Sequence, residues 1–293
     1  MVALLCDDSQ LPAATITSNV DWLPTSPLDA MKGRPLSDPA ISSRLGTPAD
    51  PVWVEWAWNL PIDLLYAGLF KTNLRQSCRW RLEAWGPGGD LAYTSRRPDG
   101  EDQSVVSGLF DPAGLRWGAD NLFRGDWPDK LFYRYPTNVH AVVPDLPRVT
   151  RLRWTLYGPA YRPDRSDDTG YRIGLGWAGD GLLFVRHAGD GEGYKPGDTV
   201  LTADGGGRWV EPGVGARTAT IDRSVSEPNE RDTFFDLAVQ VNLSGAVVFL
   251  PDVDNPPRNT RYGGLFTKTN DHSHKHLSDE LSAATVELIE VTL

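Results

Sequence analysis

The sequence predicts an all-β protein built from antiparallel sandwiches, and three observations support this class. Short segments alternate apolar and polar residues with a period of two, which is the side-chain period of a β-strand. The chain contains 29 Gly and 23 Pro, which are scattered along its whole length and divide it into short segments. Most of the 11 Trp fall in the alternating segments, where large aromatic side chains suit a half-buried pleated surface. Since no βαβ rhythm and no repeat period is present, we expect antiparallel pairing.

The strongest strand predictions lie between residues 52 and 95. In 52–58, "VWVEWAW", the Val and Trp at even positions point to one face and the residues between them to the other. Residues 78–86 alternate in the same way, and 91–95 follow across the turn "GPGGD" as the second strand of a hairpin. The nearly continuous apolar run 62–70 predicts a strand that is covered on both faces.

Further strands are predicted downstream. Residues 149–158 alternate between two faces, the apolar one formed by Leu152, Trp154 and Leu156 and the polar one by Arg151, Arg153 and Thr155. A short strand is expected within 140–143, and three more within 232–241, 245–252 and 284–293. The best candidate for a short helix is 276–285, which has only a weak capping signal.

The composition changes after about residue 187, where the sequence becomes rich in Gly and Asp and poor in apolar residues. We therefore predict a sandwich domain in residues 1–187, with long loops at 16–51 and 96–148, and a second β-rich region in residues 188–293. The stretch 187–212 is expected to be a third long loop.

Charge and cysteine content exclude several classes of protein. The formal charge of -10 and pI near 5.0, without a cluster of Lys and Arg, argue against a nucleic-acid ligand. No apolar run is long enough to insert into a membrane, and the N-terminus lacks the basic region of a secretory signal, so we expect folding in a cytoplasm. The two cysteines, Cys6 and Cys78, form no disulfide framework. We interpret them as core or near-surface thiols, with a bridge or a nucleophile as the alternatives.

Three histidines occur at alternate positions in the stretch "NDHSHKH", namely His272, His274 and His276. In an extended strand they share one face, so two imidazoles can converge on one ion, but zinc needs further ligands. One interpretation is a metal site completed across symmetry-related subunits. The other is a polar loop whose histidines titrate normally.

A second group of possible metal ligands lies in "DRSDDTG", where Asp164, Ser166 and Asp168 alternate like the start of a calcium loop. Its glycine, Gly170, comes one place too late, and Leu175 stands where the bidentate Glu should be. We therefore favour a turn between strands. No sequence motif of a nucleophile, metalloprotease or phosphate-binding loop occurs, and we expect neither an enzyme nor a cofactor.

The order of the segments in residues 16–187 resembles a discoidin-like (galactose-binding-like) jelly-roll domain of tail proteins from long-tailed, siphovirus-type bacteriophages. The resemblance rests on "SNVDWLP", "LSDPAISSRLG", "VWVEWAWNLPIDLLYAGLFKTNL", "CRWRLEAWG" and "TRLRWTLYGPAYRPDRSDDTGYRIGLGWAGDG". Within it, Gly158, Gly170 and Gly174 fall at turn or close-packing positions. The later segment "RDTFFDLAVQVNLSGAVVFLPDVDNPPRNTRYGGLF" is similar to the same proteins.

This resemblance implies a virion structural protein, namely a baseplate or tail-tip component that links the tail tube to fibres or receptor-binding proteins. It implies partners among other tail and baseplate proteins, a homo-oligomer or symmetric ring around the tail axis, and assembly in the host cytoplasm. The long loops would interlock with neighbouring subunits.

Three tryptophans outside the alternating strands leave an alternative open. Trp22, Trp117 and Trp127 lie in predicted loops, where exposed indoles would stack on sugar rings. They would equally well fill the ends of the sandwich or a subunit interface. The alternative function is therefore a carbohydrate-binding module or adhesin that recognises cell-surface glycans. A third hypothesis is a metal-dependent hydrolase that uses the histidine cluster.

Overall fold

The structure is a computed structural model, and it describes residues 2–33, 38–105, 137–161, 166–186, 190–202, 208–211, 213, 215–226, 245–269, 275–276 and 282–291. Tertiary contacts divide the chain into two compact units. The sandwich unit comprises Asp8–Gly181 and Val253–Arg261. The terminal unit comprises Met1–Asp7, Leu182–Asp252 and Tyr262–Leu293.

The sandwich unit is made of short antiparallel strands. In chain order they are β2 (Thr15–Ser18), β3 (Ala40–Ile41), β4 (Val52–Asp63), β5 (Tyr66–Thr72), β6 (Arg79–Trp85), β7 (Leu91–Thr94), β8 (Gln103–Ser104), β9 (Thr137–Val142), β10 (Arg148–Tyr157), β11 (Arg172–Ile173) and β12 (Leu175–Gly179). Two 3-10 turns, Leu11–Ala13 and Leu28–Lys32, precede β4, and a helix α1 spans Pro256–Tyr262.

Two antiparallel sheets share one hydrophobic core in this unit. The larger sheet has the order β2-β4-β10-β6-β7, with β8 also paired to β6, and the smaller sheet has the order β12-β5-β9. Inward side chains of both sheets belong to the same cluster of buried residues. The predicted fold class, an all-β antiparallel sandwich followed by a second β-rich region, is confirmed by these sheets.

The alternation read in the sequence sets which side chains reach this core. Trp154, on the central strand β10, is fully buried, with its ring centroid 6.2 Å from that of Trp56 and 5.4 Å from that of Trp80. These three indoles come from three neighbouring strands and pack at steep interplanar angles, as aromatic pairs prefer. Strand β5 is buried on both faces, as its apolar run predicts.

The terminal unit forms a separate antiparallel sheet. Its strands are β1 (Val2–Cys6), β13 (Leu182–Val185), β14 (Gly191–Lys195), β15 (Thr199–Thr202), β16 (Arg208–Glu211), β17 (Ala216–Ser226), β18 (Ala246–Leu250), β19 (Gly264–Lys268), β20 (Lys275–His276) and β21 (Ser282–Glu290). The large sheet has the order β13-β1-β18-β19-β21-β17-β14, β20 pairs with β21, and β15 pairs with β16.

A buried ion pair joins two strands of that sheet. The guanidinium of Arg217 donates to Glu290 at 2.6 and 2.9 Å and to the carbonyl oxygen of Gly263 at 2.8 Å. Both charged side chains are only 8% exposed, and these hydrogen bonds offset the cost of burying them.

The structure changes three details of the sequence predictions. The predicted loops are not wholly irregular, since 16–51 contains most of β2, and 96–148 contains β8 and β9. Strands β14, β15 and β16 occupy much of 187–212. Strand β2, "TITS", lies at the edge of its sheet and is half-exposed, so the sequence contains no apolar alternation that would mark it.

The unit boundary and one predicted helix also differ. The predicted division into 1–187 and 188–293 differs from the contact-based units, because β1 pairs with β13 and β18 and so joins the terminal unit. Residues 282–285, predicted to end a short helix, belong to β21, where Thr285 pairs with Asp222 of β17. The predicted strand 232–241 lies outside the described residues.

Both cysteines are buried and unbridged, which confirms the interpretation of core thiols. Burial raises the pKa of Cys78 to about 12. In the described part of the chain no helix is long and apolar enough to span a bilayer.

Tyr171 connects the loop segments at Ser42, Gly46 and Gly158 of the sandwich unit through hydrogen bonds. Its hydroxyl donates to the Gly158 carbonyl at 2.9 Å and accepts from the Gly46 amide at 3.1 Å. Its own amide donates to the Ser42 hydroxyl at 2.8 Å. Gly158 adopts φ +115°, a conformation that favours glycine, and a Cβ on Gly170 would lie 2.1 Å from the Ser42 carbonyl oxygen. Glycine is thus required at both of these predicted packing positions.

We predict that Gly170→Ala destabilises the protein by about 1–3 kcal/mol, because the added methyl group overlaps the backbone at Ser42. The free energy of unfolding in urea measures this change. Gly33→Ala is the matched control, since a Cβ there meets no atom within 4 Å. Equal loss of stability in both variants would contradict the assigned close contact.

Candidate functional site

The outer side of the larger sheet carries a cluster of arginine and tryptophan side chains. We call it the arginine–tryptophan face and define it by Trp53, Glu55, Trp85, Arg151 and Arg153. These residues occupy the odd positions of β4, β6 and β10, and they point away from the core because the side-chain period of a strand is two. The side chains that alternate with them on the inner side are buried, namely Val52, Val54, Trp56, Ala84, Leu152 and Trp154. The core therefore fixes the orientation of the face.

The register of the three strands brings opposite charges together. Arg153 on the central strand pairs with Glu55 of β4 on one side and with Glu83 of β6 on the other. Arg151 stands in the next outward row and pairs with Ala57 and Trp85. Cross-strand neighbours on one face are close enough to interact directly, and opposite charges there are stabilising.

Arg153 is the centre of the face. Its Nε and Nη2 atoms donate to Glu55 at 2.9 and 2.7 Å, and its guanidinium carbon lies 4.6 Å from the Trp53 ring centroid and 5.5 Å from that of Trp85. Arg151 stacks over Trp85 at 4.2 Å and lies 3.9 Å from Glu55. Both guanidiniums are therefore held in place over indoles.

A second set of ion pairs extends the face along β6. The guanidinium of Arg81 lies 3.2 Å from Glu83 and also 3.2 Å from Asp102, and Arg96 lies 3.4 Å from the same Asp102 carboxylate. Burial raises the pKa of Tyr157, and the nearby Asp102 carboxylate raises it further. The outward surface is thus an ordered network of charges rather than a set of independent side chains.

Tryptophan packing bears on the predicted sugar platforms. Among the Trp whose side chains the structure describes, five are buried and three are half-buried, and none is exposed; the buried ones are Trp56, Trp58, Trp80, Trp154 and Trp177, and the half-buried ones are Trp22, Trp53 and Trp85. Trp22 packs against the sandwich core, and its backbone bridges to Ser42. Trp117 and Trp127 lie outside the described residues.

The histidine cluster is almost wholly outside the described residues. His272 and His274 are not described, and only the backbone of His276 is, as part of β20. His140 belongs to no motif in the sequence. It lies on β9, and its Nδ1 is 2.7 Å from the Tyr66 hydroxyl. No three His, Cys, Asp or Glu residues group as metal ligands within the ranges that the structure describes.

Asp168 has a structural task in the loop that resembles a calcium site. Its carboxylate accepts hydrogen bonds from Arg172 at 2.9 Å, from Asn73 at 3.1 Å and from the Thr169 amide at 2.8 Å. Burial alone would raise its pKa, but these donors outweigh burial and hold the pKa of Asp168 below its ordinary value. The Asp168 carboxylate therefore fixes this loop to Asn73. Asp164 lies outside the described residues.

The sequence contained a signal for the arginine–tryptophan face. Outward arginines alternate with inward apolar residues in "RLRWTL", and Trp53 and Trp85 have the outward parity in their own strands. The sequence does not show the register of the strands. It therefore could not predict that Arg153 lies between Glu55 and Glu83.

No protein-family model matches the chain, and no curated protein matches it. Solved structures similar to part of it include a mutant lectin-binding domain of Lectinolysin complexed with Lewis b, at 3% identity and a TM-score of 0.34 over 59% of this chain and 96% of that one. A fucose binding module of Streptococcus pneumoniae has 6% identity and a TM-score of 0.35 over 59% and 94%. The module CpGH89CBM32-4 of Clostridium perfringens has 10% identity and a TM-score of 0.36 over 59% and 99%. At such low TM-scores the fold class rests on the sheets of this chain itself.

We predict an interaction energy of about 1 kcal/mol between Arg153 and Glu55 in a double-mutant cycle of alanine variants, measured by urea unfolding. The pair is preorganised and its side chains are 31% and 15% exposed. The matched control is Arg148 with Asp63 on the same two strands, 3.6 Å apart and 67% and 54% exposed, for which we expect about 0–0.3 kcal/mol. Similar values for both pairs would refute a special role of the face.

We predict that Asp168→Asn destabilises the protein near neutral pH and has progressively less effect in acid. The folded pKa of Asp168 is lowered, so its stabilising contribution is present above the unfolded value of 3.8 and is lost as pH falls through the folded pKa. Unfolding free energies measured from pH 7 down to pH 2.5 test this. Asp167→Asn serves as the control, since that side chain is 85% exposed; a pH-independent loss in Asp168→Asn would contradict the prediction.

Proposed function

We propose that the chain is a non-catalytic structural protein of a bacteriophage tail, a baseplate or tail-tip component that connects the tail tube to fibres or receptor-binding proteins. The observation that most supports a docking role is the arginine–tryptophan face on the rigid larger sheet. The assignment to a virion comes from the sequence resemblance of residues 16–187 to phage tail proteins.

The chemistry of the face suits binding to another protein. Arginine and tryptophan are the residues in which interface binding energy concentrates, together with tyrosine. Arg151 and Arg153 already stack on Trp85 and Trp53, so less side-chain entropy is lost on binding than with mobile arginines. A surface of this composition, fixed on a sheet, favours a specific and rigid contact.

The core beneath the face supports a mechanical role. Trp154 and Trp56 are fully buried under Arg153 and Glu55, and they lock β4 and β10 in register. A partner that docks on the outer side therefore meets a surface with little freedom to shift. Such rigidity suits a component that transmits position between tail parts.

Glycan binding is the second candidate. Arg151 is 39% exposed and stacks over Trp85, and this combination suits an acidic sugar whose carboxylate meets the guanidinium. The covered ring faces of Trp53 and Trp85 weigh against stacking of a neutral pyranose on them. The similar solved structures include a fucose binding module and a lectin domain with Lewis b, and that activity is proposed for this chain only as the alternative.

Immunogold electron microscopy with antibody against this protein, on particles released from the source culture, tests the proposed function. We expect gold at the distal end of the tails. Particles without gold, with the protein only free in the lysate, would refute the virion role.

A glycan array then separates the alternative. Specific binding of acidic sugars that is lost in Arg151→Gln would establish a lectin, whereas the proposed structural role predicts no sugar binding on the array.

A further inference from the structure

We infer that the outer side of the larger sheet binds an extended acidic segment of a partner protein, with carboxylates at every second residue of that segment. The inference rests on the proposed function, because it names the chemistry of the partner that the arginine–tryptophan face would take. It is carried by four outward arginines, which we call the arginine ladder: Arg151, Arg153, Arg81 and Arg79.

The arginine ladder places one guanidinium in each of four successive outward rows of the sheet. The first two rows take their arginine from β10. The third row takes it from β6, since Arg81 pairs with Thr155. The fourth row does the same, since Arg79 pairs with Tyr157. Outward rows are two residues apart, so successive arginines are about 6.5–7 Å apart along the strands, which is the side-chain period of an extended chain.

The two inner arginines of the ladder are engaged by carboxylates of the chain itself. Arg153 binds Glu55 at 2.7 Å. Arg81 lies 3.2 Å from Glu83 and 3.2 Å from Asp102, and its side chain is only 18% exposed. These two arginines therefore hold the ladder in line and have less capacity for a carboxylate from outside.

The two end arginines retain that capacity. Arg79 donates to the Ser104 hydroxyl at 2.8 Å, and within the described part of the chain no carboxylate forms an ion pair with it. Arg151 is 39% exposed and lies 3.9 Å from the Glu55 carboxylate, which Arg153 already binds. The end rows stand at positions 151 and 157 of β10, so a ligand that reaches both must span about 20 Å.

An acidic peptide in extended conformation fits these dimensions. Its alternate side chains point to one side and repeat with the row spacing of the sheet, so carboxylates at positions i and i+6 reach both end arginines. A guanidinium binds a carboxylate through two parallel N–H donors. Arginine already covers the rings of Trp53 and Trp85, which leaves little aromatic surface for a sugar. The face therefore favours an acidic protein segment over a glycan.

The ladder is a local excess of positive charge on an acidic chain. Its four arginines, together with Arg96, outnumber the carboxylates of Glu55, Glu83 and Asp102 that contact them. The formal charge of -10 therefore arises from residues outside this group. At about 0.15 M salt the Debye length is about 8 Å, so exposed carboxylates farther than this from the ladder are largely screened. The ladder thus attracts an acidic peptide despite the charge of the whole chain.

Fluorescence anisotropy with labelled synthetic peptides and the purified full chain tests this inference. The probe is a seven-residue peptide in which glutamate and threonine alternate, beginning and ending with glutamate, and the control peptide has the same composition with its glutamates in one block. At about 0.15 M salt we expect the alternating peptide to bind about threefold more tightly or better, because the block is too short to reach both end arginines. At about 1 M salt we expect both peptides to dissociate.

Substitution of the end arginines should remove this preference. Arg151→Gln and Arg79→Gln should each weaken binding of the alternating peptide about threefold or more and make it equal to the block peptide. The matched control is Arg148→Gln, which removes the same charge at the start of β10, outside the ladder, where the side chain is 67% exposed. It should bind like the unaltered protein, and near-ultraviolet circular dichroism checks that every variant is folded.

Four results would each overturn the inference. They are no binding of the alternating peptide up to about 1 mM, equal binding of the two peptides, binding that ignores salt, and the same loss of binding in Arg148→Gln as in Arg151→Gln. Tighter binding of polygalacturonate than of the alternating peptide, at equal carboxylate concentration, would overturn it as well, because the face would then be a glycan site.

The failure of this inference is distinguishable from the failure of the proposed function. Gold on the tails without peptide binding would refute the acidic partner and leave the virion role intact. Binding of the alternating peptide through Arg79 and Arg151, without gold on any particle, would support the acidic partner and refute the virion role.

Discussion

The two-residue period of β10, the central strand of the larger sheet, is the constraint on which both the core and the surface of the sandwich unit depend. Trp154 enters the core between Trp56 and Trp80, and its neighbour Arg153 must then stand outside between Glu55 and Glu83. A shift of the strand by one residue would bury the arginine and expose the indole. The packing of the indoles therefore fixes the place where the charges meet.

The charge distribution of the arginine–tryptophan face follows from this geometry. The outward arginines are restrained by stacking and by shared carboxylates, so the face combines order with unbalanced positive charge on an acidic chain. The carboxylate of Asp168 is also engaged by several donors, from Thr169 and Arg172 close by in the sequence and from the distant Asn73, and the group serves to hold the chain in place.

The sequence predicted much of the sandwich and little of the arginine–tryptophan face. Alternation in 52–58, 78–86 and 149–158 predicted the inward side chains correctly. Burial of one face of a strand imposes a two-residue period, and this period is visible in the sequence itself. Arg151 and Arg153 were read as a polar face, but their partners come from register, which depends on residues far apart in the chain. Edge strands such as β2 were missed, since a polar, half-exposed strand has no hydrophobic signal. The assignment of β1 to the terminal unit likewise depends on pairing with residues nearly 250 positions away.

Hydroxyl-radical footprinting of Trp53 and Trp85 tests most directly whether the arginine–tryptophan face is a buried contact in the assembled protein. Oxidation of the two indoles is measured in the purified monomer and in assembled particles, with Trp22 as the internal reference because it packs against the core. The account predicts that Trp53 and Trp85 are oxidised several-fold more slowly after assembly, while the rate at Trp22 stays unchanged. Equal oxidation rates of Trp53 and Trp85 in both states would contradict it.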